Sequence, residues 1–309
     1  MRLNHPSHAI VLIGMLIGTN LVIAKYIAVS GLNPVTSIYW VISGAAAILS
    51  VIVYWKGQKL SLRRDHLIYY MAGGILGVTG PQLLSYIVLQ KIPASFFTVL
   101  VTLSPLATFV LASLFERKLL PFQRLAGILI GFGGILLATR RGLDPGSTPW
   151  AWLLMAFSVP LLLGLTNIYR NKAYPAGSPA LSLAAGTLIS QVLLLTPIHL
   201  FLGWRWEVLT QFDGVGLALL ASAVVTALTY FLTYELQRHT DGVGFSQVGY
   251  FVTLTGVALG IVVFNEPLTA SFLVSVLLLF LGLAVSNGHI SLKGFRTRKR
   301  ARECQPPLN

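Results

Sequence analysis

Few side chains in this sequence are equipped for bond-breaking chemistry. Asp65, Glu116, Asp144, Glu207, Asp213, Asp241, Glu266 and Glu303 fall in loop, turn or tail segments, and only Glu235 lies inside an apolar run. Catalysis in a membrane or pocket needs clustered His, Arg and acidic groups or a metal set, and no spacing here assembles one. The single cysteine, Cys304, sits in a polar tail, so no disulfide, metal site or cofactor is expected. An ionisable group retained in a membrane interior marks a proton or ion pathway, which makes Glu235 the candidate coupling residue. Without such coupling, movement of a solute down its own gradient is the expectation. His199 falls late in another apolar run, where a packing role is expected.

The candidates for binding are mostly uncharged. Asn20, Gln82, Tyr86, Asn167, Tyr169, Tyr230, Tyr234, Gln247 and Tyr250 are polar or amphipathic residues embedded in apolar surroundings. An amide or phenol facing lipid is costly, so these groups should turn toward neighbouring helices or toward a pocket. Tyr230 and Tyr234 are spaced i, i+4 and share a helix face, although Tyr near a membrane boundary also serves as an ordinary belt residue. Lys25 and Lys172 lie about one turn inside helix ends, where they either snorkel or guard the mouths of a cavity and attract a carboxylate or phosphate. A cavity of amides and phenols suits an amphiphilic solute such as an amino acid, with Arg170 or a lysine available for its carboxylate.

The elements that must position these residues follow from composition. Of 309 residues 55% are hydrophobic and 10% charged, with mean hydropathy +0.77, whereas a water-soluble domain carries about 25% charged residues. About 20 apolar residues at helical rise cross the hydrocarbon of a bilayer. Runs of this kind cover 9–29, 34–55, 67–89, 94–115, 122–139, 150–170, 180–202, 214–236, 243–264 and 268–289. They are too long and continuous for the alternating strands of a barrel, so an all-α membrane protein of ten transmembrane helices is expected. The first run, preceded by Arg2, has no clear cleavage site and is read as a retained span. The net charge of +13 invites a nucleic-acid reading, which the charge distribution opposes. With the N-terminus inside, every Lys and Arg except Lys25, Lys91, Arg140, Arg141 and Arg205 falls on the cytoplasmic side. That is the positive-inside pattern; Arg140 and Arg141 are its local violation. Both termini are therefore expected in the cytoplasm, with a cell (inner) membrane location and a basic tail over 291–309.

The sequence also repeats itself. Thr19-Asn20 followed by Lys25 recurs as Thr166-Asn167 followed by Lys172, and Leu89-Gln90-Lys91 recurs as Leu236-Gln237-Arg238. Glu116 with Phe122 recurs as Glu266 with Phe272. The expected units are therefore 1–142 and 143–290. Each holds an odd number of spans, so the second enters the membrane from the opposite side, an inverted repeat of the kind found in secondary transporters with a site near the midplane. Glu116 and Glu266 are expected to stabilise the N-termini of the helices that follow them. Gly80-Pro81, Pro105, Pro160 and Pro197 should kink their helices. Gly127 with Gly131, and Gly73 with Gly77, form small-xxx-small ridges for internal packing or a dimer contact.

The Asn-x4-Lys end of the first span, Ser104-Pro105, Phe115-Glu116-Arg117, Asn265-Glu266-Pro267 and the glycine-rich stretch Gly127 to Gly134 resemble the drug/metabolite transporter superfamily, EamA-type. The resemblance spans nearly the whole chain. It implies two inverted five-helix halves around a central cavity lined by spans one to four and six to nine. The fifth and tenth spans would lie at the periphery. Thr255-Gly256 stands where the first half has Ser104-Pro105, so the break in span four is not duplicated. The implied function is outward movement of small organic solutes, amino acids or related metabolites, by alternating access, by a monomer or homodimer with lipid and solute as its partners. A non-transporting structural or regulatory membrane subunit is the alternative, and neither an enzyme nor a nucleic-acid binder is expected.

Overall fold

The computed structural model describes residues 6–117, 121–142, 150–201, 214–239 and 248–290, and all regular structure among them is helical. The helices are α1 (Pro6–Val29), α2 (Pro34–Trp55), α3 (Arg64–Leu89), α4 (Ala94–Glu116), α5 (Phe122–Gly142), α6 (Trp150–Ala173), α7 (Ala180–Phe201), α8 (Gly214–His239), α9 (Val248–Phe264) and α10 (Ala270–Ser286). Seven of these, α1 to α4 and α6 to α8, are long and apolar enough to cross a membrane, and α5, α9 and α10 contain shorter apolar stretches. Gln247, Cys304, the basic tail and the loop after Arg141 lie outside the described residues. The exterior is oily: Leu129, Leu154, Leu193 and Leu277 are between 63% and 71% exposed. Such a surface is stable against acyl chains, and the chain is a multi-pass membrane protein.

Local chemistry explains the helix ends. Asn33 starts α2 by accepting the N–H of Val35 on Oδ1 at 2.8 Å, with Pro34 at the first helical position, where its missing donor costs nothing. Thr269 does the same for α10 through Phe272 N–H at 3.2 Å. Arg117 and Asn265, both at φ 51°, end α4 and α9 in the left-handed region that commonly closes helices.

Packing makes the two halves equivalent. α1 packs on α9 and α8, α6 packs on α4 and α3, α2 meets α8 and α7 meets α3. Advancing each helix number by half the set converts the first-half contacts into the second-half ones. Three pairs map onto themselves: α2 with α7, α4 with α9, and α5 with α10. This is the pattern of a pseudo-twofold axis relating inverted halves. The equivalence is imperfect where the sequence said it would be. α4 is interrupted between Val101 and Ser104, while α9 runs unbroken from Val248 to Phe264.

The peripheral pair, α5 with α10, uses the small-residue ridge internally. A Cβ on Gly282 would stand 2.5 Å from Gly131 N, and one on Gly127 would stand 2.5 Å from Gly282 O. Gly133, one face away, meets nothing within 4 Å. Replacing Gly282 by Val should therefore overpack the crossing and cost about 1–3 kcal/mol. Gly133→Ala should leave the thermal midpoint unchanged or slightly higher. Thermal unfolding of the purified variants in detergent checks the contrast.

Candidate functional site

Between the two halves lies a cavity of about 250 Å³. Its walls come from α1 (Ile17, Asn20, Leu21), α3 (Gly77 to Ser85), α4 (Val101 to Phe109), α6 (Val159 to Asn171), α8 (Thr226 to Gln237) and the start of α9. α2 and α7, expected among the lining helices, contribute no wall. They pack on one another behind α3 and α8. The lining runs from Ile17, midway along α1, to Asn171 and Gln237 near the C-termini of α6 and α8. Asn171 is exposed.

Two helix breaks shape this space. In α3 a π-helical turn, Ile75–Thr79, precedes Gly80-Pro81, and the Gly80 N–H reaches back to Ile75 O. Pro81 has no N–H to give the carbonyl four residues earlier. That carbonyl, on Gly77, accepts instead from the Tyr230 hydroxyl of α8 at 2.7 Å. The break thus ties α3 to α8 across the interface between the halves. In α4 the Thr102-Leu103 step before Pro105 does the corresponding work. Thr102 Oγ1 lies 2.6 Å from Thr253 Oγ1 of α9.

Of the residues expected to bind, Asn20, Gln82, Asn167, Arg170 and Tyr230 come together on the cavity wall. Asn20 donates to Thr226 Oγ1 at 3.2 Å and accepts from Ser222 at 2.7 Å. Asn167 donates to Thr108 Oγ1 at 3.2 Å. Arg170 is only 5% exposed, although it lines the cavity. Its Cζ stands 4.7 Å from the Tyr234 ring centroid and 5.8 Å from that of Tyr230.

The remaining candidates sit elsewhere. Tyr234 is fully buried behind the wall, its hydroxyl 3.0 Å from Thr187 Oγ1. Tyr86 is buried at 3% exposure. Tyr169 stacks on Tyr69 at 5.7 Å, and Tyr250 meets Phe280 edge-on at 5.3 Å. Lys172 is exposed near the end of α6, and Gln247 is not among the described residues. Glu235 lines a second, smaller pocket of about 160 Å³ with Lys56, Gln58 and Phe231. His199 is buried and stacks on Tyr39 at 4.4 Å, a packing role as expected.

The lining also includes Thr166, named above only as part of the repeat, and Ser85, Thr102, Thr108, Thr229 and Thr233, which the sequence did not single out. Most hydroxyls of this kind satisfy themselves on their own helix: Thr166 donates to Leu162 O at 2.8 Å and Thr108 to Ser104 O at 2.8 Å. That habit makes Ser and Thr cheap anywhere in a membrane helix, and so uninformative. Asn171 carried a usable signal, lying i+4 from Asn167 and hence on the same face.

At the end of the bundle opposite Asn171, Lys25 ties α1 to the end of α3 within the first half and Glu266 fastens the two halves together. Lys25 Nζ donates to Leu89 O at 2.6 Å and Ile92 O at 3.0 Å, at the C-terminus of α3. Two to three residues further on, Ala94 and Ser95 donate their N–H groups to Glu266 Oε1 at 2.6 Å and Oε2 at 2.9 Å. A cation caps a carbonyl end and a carboxylate caps an amide end, each favourable with the helix dipole. Glu266 was expected to serve the helix after it. It serves α4 instead, because Thr269 already caps α10. Glu116 differs again, being the last residue of α4.

Residues 7–140 match the EamA-like transporter family. The chain is 23% identical over 313 residues to "Uncharacterized transporter YyaM" of Bacillus subtilis (strain 168), with 97% of this chain and 99% of that protein aligned. It is 22% identical over 245 residues to "Uncharacterized transporter YvbV" of the same organism, with 78% of each aligned. A solved crystal structure superposes with a TM-score of 0.67 at 16% identity, covering 94% of this chain and 99% of the other, which establishes a shared fold.

The fastening has a measurable consequence. In a Cys304→Ser, Ile92→Cys background, Glu266→Gln should raise the labelling rate of Cys at 92 by an impermeant maleimide about tenfold, the scale of one charge-assisted hydrogen bond. An unchanged rate would mean that Glu266 steadies α4 without holding this end shut.

Proposed function

We propose that this chain, an EamA-type membrane transporter of the drug/metabolite transporter superfamily, carries small amphiphilic organic solutes, amino acids or related metabolites, through its central cavity by alternating access. The observation that carries the reading is the cavity itself. A space of about 250 Å³ bounded by amides, hydroxyls and one guanidinium is difficult to keep inside lipid unless something polar passes through it. A structural or regulatory subunit would be served as well by a solid bundle.

Alternating access draws support from the unequal ends. One end is fastened by Lys25 and Glu266 on the segment between α3 and α4. The cavity reaches toward the other, where Lys172 is exposed rather than capping a helix. Lys25 and Lys172 occupy repeat-related positions, so exchanging which lysine caps its neighbouring helix gives a physical basis for two states. Rocking of 1–142 against 143–290 would then open the site to alternate sides. If the positive-inside pattern sets orientation, the cavity faces the cytoplasm in this state, ready to load a solute for export. The same pattern favours cytoplasmic termini and an inner-membrane location.

Energy coupling takes the simpler form. Among the described residues the cavity lining contains no Asp, Glu or His, and Glu235 lines the separate pocket beside Lys56. That lining supports facilitated movement down the solute gradient.

Purified protein in liposomes should exchange radiolabelled amino acids drawn from a panel of aliphatic, aromatic and polar members. Filling the cavity with Thr229→Trp, or removing an amide with Asn167→Leu, should slow exchange at least about tenfold, as expected for losing a well-placed polar contact. An imposed pH gradient should drive no accumulation, and Glu235→Gln should exchange at the parental rate. The proposal fails if no panel member moves, or if both cavity variants exchange normally.

A further inference from the structure

Arg170 has hydrogen-bond contact with the Tyr234 and Tyr230 hydroxyls, yet part of its guanidinium lacks an acceptor. Its Nε and Nη2 atoms are buried and have no hydrogen-bond partner, and the side chain is 5% exposed. The groups around it are Tyr69, Tyr230 and Tyr234. Ring faces attract a guanidinium through their quadrupoles, but neither the rings nor the hydroxyls provide an acceptor for Nε or Nη2. Neither does Gly77. A Cβ there would stand 3.0 Å from Nη2 and collide with Thr166, so glycine at this place admits the guanidinium without bonding it. A desolvated cation of this kind is expensive unless it is paired.

The identity of the two unpaired atoms is informative. Nε and Nη2 form one edge of the guanidinium, with parallel N–H bonds spaced to meet both oxygens of a single carboxylate. Arg170 is also the only charged residue in the cavity lining among those described. One positive charge balances a monoanion and leaves a dianion such as a phosphate half neutralised. The rest of the lining divides into amides and hydroxyls near Arg170, such as Asn167 and Asn171 on its own helix, and apolar side chains such as Val248, Val252 and Leu21.

Resting on the transport reading above, we infer that Arg170 is the selectivity residue of the cavity, taking the carboxylate of a monoanionic or zwitterionic solute side-on through Nε and Nη2 when the wall that covers these atoms parts to admit it. Tyr230 and Tyr234 hold the guanidinium flat for this encounter. Tyr230 is itself anchored on Gly77 O at 2.7 Å, and Tyr234 on Thr187 at 3.0 Å. Lysine at the same place would supply charge without the two-pronged edge.

The test uses the full-length protein in lipid nanodiscs and isothermal calorimetry. The probes are amino acids with aliphatic, aromatic and polar side chains, each beside its carboxamide and its aminophosphonate analogue, together with hexanoate, hexanamide and hexylphosphonate. Carboxylates should bind at least about tenfold more tightly than the matching carboxamides and phosphonates. Arg170→Gln should abolish the preference while retaining whatever weak affinity the carboxamides show, and Arg170→Lys should lose most of it. If Arg170→Gln fails to fold, the parental protein still decides. Equal binding of carboxylate and carboxamide, or a preference for phosphonate, overturns the inference while leaving liposome exchange intact. Absence of both binding and exchange across the panel removes the transport reading together with it.

Discussion

A backbone amide in hydrocarbon has no water to bond, and the architecture of this chain follows from that constraint. Helices satisfy it within each segment, which is why all regular structure among the described residues is helical. The informative places are those where the constraint is not met locally. Pro81 withdraws the donor that Gly77 O would otherwise receive, and the carbonyl is rescued from a different half of the molecule by Tyr230 at 2.7 Å. A helix break that needs an outside donor can exist only where another polar helix face approaches, and such faces meet at the cavity. Break, tyrosine and cavity are therefore one feature seen from three sides. Moving Tyr230 would remove the donor that Gly77 O receives from α8.

The halves show how symmetry is used and then departed from. Contacts such as α1 with α9 and α6 with α4 repeat across the pseudo-twofold axis, because duplicated helices bury duplicated faces. The polar details do not repeat. Asn20 bonds into α8 through Thr226 and Ser222, whereas its counterpart Asn167 bonds into α4 through Thr108. Lys25 caps α3 while Lys172 is exposed. A perfectly symmetric molecule would have two equal mouths and no reason to favour either. Unequal fastening is what distinguishes the two otherwise equivalent ends.

Much of this was legible in the sequence, for identifiable reasons. Span positions followed from apolar run length, and they agree with the helices because burial in lipid leaves no competing solution. The duplicated Asn-x4-Lys pattern pointed to both Asn20 and Asn167, and both line the cavity. The sequence was least informative about direction around a helix axis. With apolar residues on every face, as in α7 and α9, there is no hydrophobic stripe to say which side is inward. Tyr86, Tyr234 and Tyr250 consequently looked like wall residues but are buried between helices or stacked on other rings. Glu266 was misassigned for a related reason. Helix-cap reasoning is local, and the amides of Ala94 and Ser95 that claim this carboxylate are far away in sequence.

Charge placement ties these strands together. A lysine near a helix end, such as Lys25, can bring its ammonium to backbone carbonyls by stretching a flexible stem, and its position costs little. Arg170 has no comparable escape. It lies in the last turn of α6 but is turned inward, 4.7 Å from the ring centre of Tyr234. Replacing it by an apolar residue of similar volume would remove a desolvated charge together with its contacts to the Tyr230 and Tyr234 rings. His199 differs from Arg170 in place: its buried ring is stacked on Tyr39 at 4.4 Å, and neither of these two residues is among those lining the cavity.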